Sequence, residues 1–198
     1  MEPVRVVEGT AVPLDRSDCD TDQIIPSDWL KRVERTGFGR GLFAEWRDDP
    51  GFVLNKPEHQ GATILVAGPN FGTGSSREHA VWALADYGFR AVISPRFGDI
   101  FRNNATKTGL VPVQVSDEIG AQLLAAVAAD PTIEITIEIE KGLVSAPAIG
   151  VEAPFPIDEF TRYRLLNGLD DIGITLQHGE AIDTFESSRP AWLPTASA

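Results

Sequence analysis

Between residues 62 and 115, three short apolar runs (62–67, 91–94 and 110–115) alternate with two helix-like stretches, 80–87 and 98–107. Continuous apolar runs of this length suit strands buried on both faces. Strands that alternate with helices require crossover connections, and these build a parallel sheet with helices packed on it. In such sheets ligands bind beyond the carboxyl ends of the strands. The loop that follows the first run is therefore the place to look for chemistry.

That loop reads Asn70-Phe71-Gly72-Thr73-Gly74-Ser75-Ser76-Arg77-Glu78-His79-Ala80. Gly72 and Gly74 allow a tight turn and a close approach to a ligand. Ser75 with Glu78 three residues later has the form of a capping box, which predicts a helix start whose free N–H groups point back into the loop. A helix start of this kind is a prepared anion site. Two hydroxyls, Ser75 and Ser76, and the planar guanidinium of Arg77 stand there together, and the guanidinium fork matches a carboxylate. The expected ligand is a small carboxylate or phosphate. The loop lacks the lysine and spacing of a phosphate-binding P-loop and the second glycine of a G-x-S-x-G elbow. The plainer alternative is that Ser75 only caps the helix and Arg77 is only a surface charge.

The 198 residues fit one domain with a core of ordinary size. We expect a single domain over 1–187 and a flexible tail over 188–198. No run reaches the 18 or so apolar residues of a membrane span, and the N-terminus lacks the pattern of a signal peptide, so a cytoplasmic protein is expected. The net charge of −12 argues against nucleic acid and against anionic membranes as partners. Residues 29–47 run against that trend, with five cations and two anions. Such a patch suits an anionic substrate or an acidic partner surface, unless it is merely solvated. Cys19 is the single cysteine, and the three histidines are scattered at 59, 79 and 178. No metal-ligand set is expected in this chain, so any metal chemistry must be completed by a partner.

Upstream, short strands are expected at 4–7 and 11–14 around Gly9, followed by an acidic loop over 18–26. Its three aspartates lack the glycine and closing glutamate of a calcium loop. Ser27 is placed to cap a short helix carrying Trp29, Leu30 and Val33. Residues 37–61 show no period and read as a long loop, with Trp29, Phe38, Phe43 and Trp46 packing it onto the body. Downstream, Ser116 caps a helix to 129. Alternating isoleucines from 133 to 139 turn at Lys141-Gly142 and return over 143–146 as a hairpin. Residues 153–156 read as a rigid connector, 158–166 as a helix, 172–176 as a last strand, and His178 as the border of a final helix to about 186.

Four blocks in this order resemble one family: Asp20-Thr21-Asp22-Gln23-Ile24-Ile25-Pro26; Thr36-Gly37-Phe38-Gly39 with Leu42-Phe43 and Trp46-Arg47; residues 70–80; and Asn167-Gly168-Leu169-Asp170 with Gly173-Ile174-Thr175-Leu176-Gln177-His178. Over nearly its whole length the chain is similar to the small subunits of isopropylmalate isomerase (3-isopropylmalate dehydratase), in the aconitase superfamily. The resemblance implies an α/β fold, the swivelling β/β/α domain, with a mostly parallel sheet flanked by helices and an additional hairpin. It also implies a large-subunit partner that holds a [4Fe–4S] cluster, over which this chain closes, and dehydration and rehydration of a substituted malate in leucine biosynthesis. Ser75 then matches the family's alkoxide base and Arg77 its carboxylate-binding arginine, with Ser76 beside them. Thr21 and Asp22 match the active-site wall. Residues 30–36 stand in the place of the substrate-discriminating loop, where Leu30 and Val33 suit a branched apolar substituent and Arg32 and Arg35 a second carboxylate. A homoaconitase or methyl-substituted malate dehydratase subunit, or a non-catalytic anion-binding module, are the alternatives.

Overall fold

Residues 6–14 form one strand where two were expected. The computed structural model of the protein describes residues 1–31, 36–74, 77–190 and 192. Its strands are β1 (Val6–Leu14), β2 (Ile64–Ala67), β3 (Ala91–Ser94), β4 (Val111–Gln114), β5 (Glu134–Glu138), β6 (Leu143–Ala146) and β7 (Val151–Pro154). They form one sheet in the order β4-β3-β2-β1-β5-β6-β7. β1 is shared: Val6 to Thr10 pair antiparallel with β5, and Ala11 to Leu14 pair parallel with β2. Gly9 lies just before the changeover with φ +152°, and a Cβ there would come within 2.4 Å of Thr63 Oγ1.

The sheet is evenly mixed rather than mostly parallel. β1, β2, β3 and β4 run parallel, whereas β5, β6 and β7 continue antiparallel. The first half of the expected connector at 153–156 belongs to β7, where Val151 and Ala153 are buried and Glu152 and Pro154 exposed. Prolines obscure that alternation in the sequence, yet β7 is an edge strand, where proline is tolerated.

Helices α1 (Thr21–Ile24), α2 (Ala44–Arg47), α3 (Glu78–Tyr87), α4 (Asp99–Thr108), α5 (Asp117–Ala129), α6 (Glu159–Asn167), α7 (Asp171–Leu176) and α8 (Gly179–Ser187) complete the fold. Ser116 caps α5 by accepting from the Ile119 N–H, and Gly109 ends α4 in the left-handed region, both as the sequence predicts. Residues 37–61 are a chain of single turns around α2, not a free loop. Phe38 and Phe43 are fully buried, and Trp29 and Trp46 pack against the same core. The expected strand at 172–176 is α7 instead. Asp170 accepts the Gly173 N–H at 2.7 Å and starts a helix, a capping signal that outweighs the alternation of Ile172, Ile174 and Leu176.

Alternate side chains of β1 and β2 enter two cores. Val12, Leu14, Leu65 and Ala67 meet α3, α4 and the 19–54 segment, whereas Ala11, Ile64 and Val66 meet the side of the sheet covered by α5 and α6. Burial on both faces is what the apolar runs predict.

Candidate active site

Three loops meet beyond the carboxyl ends of β1, β2 and β3. The first, after β1, ends in α1, whose start is a complete capping box: Gln23 N–H donates to Asp20 Oδ1 at 2.8 Å, and Asp20 N–H donates to Gln23 Oε1 at 2.9 Å. The D-x-x-Q spacing is present in the sequence, hidden within what reads as an acidic loop. The second, after β2, is clamped between the other two. Gly72 N–H donates to Cys19 carbonyl at 2.7 Å and Thr21 N–H to Thr73 carbonyl at 3.0 Å on one side. On the other side, Phe71 N–H donates to Arg96 carbonyl at 3.0 Å and Gly98 N–H to Phe71 carbonyl at 2.9 Å. Ser94, fully buried, directs its hydroxyl to the carbonyls of Gly68 and Arg96, each at 2.8 Å.

The glycines serve packing more directly than ligand approach. Gly72 has φ +74°, and a Cβ there would lie 2.3 Å from Phe101 Cγ, so its space is already filled by an aromatic ring. Phe71, Phe97 and Phe101 form an edge-on and stacked cluster beneath the loop. Asn70 and Asp18, both with positive φ, are joined by a 2.6 Å bond from Asn70 Nδ2 to Asp18 Oδ1, and Arg96 Nη1 reaches Asn70 Oδ1 at 3.4 Å. None of these three polar side chains stands out in the sequence, because only tertiary contact assembles them.

α3 begins at Glu78, with Arg77 at the N-cap and no side-chain cap. The expected capping box of Ser75 and Glu78 needs Glu78 as the third helical residue, whereas Glu78 is the first. Ser75, Ser76, Arg32 and Val33 lie outside the described residues, as does the side chain of Leu30, whose backbone belongs to the turn Ser27–Lys31. The structure does bring Arg77 and Asp22 together as an ion pair, joining the start of α3 to α1. The Arg77 side chain is 22% exposed and Asp22 52%. Arg77 Nη1 is buried against the Asp22 carboxylate, and a guanidinium carries five N–H donors, more than one carboxylate oxygen uses. Thr21 is buried beside them. Both flanks of residues 32–35 pack nearby: Trp29 lies against the core that α3 shares, and Phe38 contacts His79 and Trp82 of α3.

Cys19 is buried at the base of the site. Burial, with the Asp20 charge adding and Arg16 opposing, pushes its thiol up to about 12. The thiolate is the reactive form, so Cys19 in the native protein near neutral pH is expected to resist alkylation and to label quickly only in denaturant. Rapid labelling of the folded protein would show that the loop after β1 opens. Among the described residues, no group of three or more His, Cys, Asp and Glu side chains is placed to hold a metal ion, and no helix is long and apolar enough to cross a membrane.

A mixed sheet with its loops tied beyond β1, β2 and β3, and an Arg77–Asp22 pair at that margin, defines a class. Residues 1–118 match the aconitase C-terminal domain, which places the chain in the aconitase superfamily. Residues 171–196 match the C-terminal domain of the 3-isopropylmalate dehydratase small subunit. The chain is 64% identical to the 3-isopropylmalate dehydratase small subunit of Rubrobacter xylanophilus over 98% of both chains, and 62% identical to that of a Parafrankia species over the full length of both. It belongs to the family of 3-isopropylmalate dehydratase small subunits. The fold also matches a crystal structure of 3-isopropylmalate dehydratase (LeuD) from Methanocaldococcus jannaschii, with a TM-score of 0.66 at 24% identity over 91% of this chain and 99% of that one.

Proposed function

We propose that this chain is one half of a two-chain hydro-lyase that interconverts 2-isopropylmalate and 3-isopropylmalate through isopropylmaleate in leucine biosynthesis, in the cytoplasm. What carries this reading is Arg77, a mostly shielded guanidinium paired with Asp22 and set at the carboxyl ends of parallel strands in a chain of this family. Its fork binds one substrate carboxylate, and Asp22 balances its charge while the site is empty. Ser75, two residues before it, takes the role of base. A proton beside a carboxylate is weakly acidic, so a serine removes it only as an alkoxide stabilised by nearby donors. Ser76 and Thr21 complete the polar wall, while Leu30, Val33 and Arg32 set which substituent is admitted.

The departing hydroxyl needs a Lewis acid, the chemistry that a [4Fe–4S] cluster supplies. This chain does not suit such a cluster, which is held by thiolates: its one thiol is buried and stays protonated. The cluster is therefore assigned to a large-subunit partner, with residues 1–187 swivelling over it as a single lid and 188–198 as a tail.

The test is anaerobic turnover of 2-isopropylmalate by cluster-loaded large subunit, with and without this chain, followed by isopropylmaleate absorbance. Activity only with both chains supports the reading. No activity despite co-elution and an intact cluster would turn attention to homoaconitate or methyl-substituted malates, and failure on those to a non-catalytic anion-binding role. Arg77→Lys keeps the charge and loses the fork. Hydrogen bonds to charged groups are worth about 1.5–3 kcal/mol, so KM is expected to rise roughly 10–100-fold. An unchanged KM would remove Arg77 from the substrate.

A further inference from the structure

Six of the eight large apolar side chains left exposed among the described residues fall between 160 and 192: Phe160, Tyr163, Ile172, Leu176, Phe185 and Trp192. No side chain of α7 or α8 is fully buried, and their apolar side chains Ile174 and Ile182 are only half-buried. Helices of six and nine residues do not persist in water unaided, and in folded proteins a helix is held by burying one face. Polar contacts tether α7: Asp171 meets Lys107 Nζ and Arg164 Nη2, each at 3.0 Å, and Gln177 Nε2 donates to the Tyr163 hydroxyl at 3.1 Å. The segment is thus positioned on the body but not covered.

Two observations say what covers it. Residues 159–192 contain six acidic residues (Glu159, Asp170, Asp171, Glu180, Asp183 and Glu186) against three arginines (Arg162, Arg164 and Arg189), and Arg164 is already paired with Asp171. A second copy would meet this face with the same charges, in a chain of net charge −12, so the fitting surface is apolar at its centre and basic at its rim. A cleft of about 410 Å³, lined by Glu78, Asn104, Lys107, Asp170, Asp171 and Ile172, also links α7 to Glu78, the neighbour of Arg77 in the chain. A partner that completes the site at Arg77 is therefore within reach of this face.

We propose that α6, α7, α8 and Trp192 present a docking face for the large subunit, which meets it with an apolar patch ringed by Lys and Arg. The inference rests on the two-chain reading above and adds the surface by which the chains hold together. Aromatic anchors in such interfaces commonly carry about 2 kcal/mol or more, so the full chain carrying Ile172→Glu with Phe185→Glu is expected to bind the large subunit at least about 30-fold more weakly. Its own thermal midpoint and circular dichroism should stay unchanged, because neither side chain is buried. Phe185→Leu should bind like the wild type, and added salt should slow association.

Binding of both purified chains is read by surface plasmon resonance, with sedimentation velocity of the small chain alone. A double variant that folds normally and binds as tightly as the wild type overturns the docking face and leaves the function standing. A wild-type chain that does not bind the large subunit overturns both. A wild-type homodimer that the double variant dissociates, with large-subunit binding intact, assigns the face to a second copy and also overturns the proposal. If the double variant misfolds, Glu180→Lys with Asp183→Lys decides: weaker binding supports the face, and unchanged binding removes it.

Discussion

Ser75→Ala is expected to lower turnover by a factor of about 10²–10⁴, the contribution typical of a positioned general base. KM for 2-isopropylmalate and affinity for the large subunit should change little. The proposed division of labour explains this pattern: Arg77 and the polar wall bind the substrate carboxylates, whereas Ser75 acts only as the proton leaves. A loss confined to kcat marks a group needed in the transition state and not in binding. α3 begins at Glu78 with Arg77 as its N-cap, so Glu78 does not take the third helical place that a capping box with Ser75 requires. Steady-state kinetics of the reconstituted pair is the measurement, and a variant within a few-fold of wild-type kcat would return Ser75 to a structural role.

Gly72→Ala is expected to produce the largest loss of stability among single changes at the site. Its Cβ would press into Phe101 from a backbone with φ +74°. Overpacking costs about 1–3 kcal/mol and the left-handed backbone about 1–2 kcal/mol for an L-residue. A combined loss near 3 kcal/mol corresponds to a fall in Tm of about 6–12 °C for a chain of this size. Calorimetry would show it, and Phe101→Leu in the same background should restore part of the loss, because the two changes share one contact. A Tm within about 2 °C of wild type would mean that the loop relaxes away from the ring.

The legible parts of this protein are those written in local sequence. The runs at 62–67, 91–94 and 110–115 become β2, β3 and β4 because burial on both faces leaves no ambiguity of period, and Ser116, Gly109 and Gly168 mark helix ends by chemistry that acts over a few residues. What escapes a reading of the sequence depends on partners far away. β1 reads as two strands because Gly9 interrupts it, but pairing with β5 on one side and β2 on the other carries it through. Residues 171–176 alternate like a strand and fold as a helix, since Asp170 caps them. At the site, the position of Arg77 beyond the strand ends follows from the alternation, whereas its pairing with Asp22 requires α1 to be brought against the start of α3. Asn70, Asp18 and Arg96 carry no local signature, and only the fold brings them together.

The cross-ties between the site loops have a consequence for how such a chain tolerates change. Leu14 pairs with Ala67 at the end of the sheet, and six residues further along each segment Asp20 bridges Thr73 in the same parallel sense. The two loops are therefore of equal length between these two pairings. Surface loops ordinarily absorb insertions at little cost. Here one extra residue in either loop would shift Asp20 against Thr73 by about 3.3 Å, carrying α1 and its Asp22 away from Arg77. Length in this margin is set as a pair, so an insertion or deletion that keeps Asp22 at Arg77 is expected to occur in both loops together.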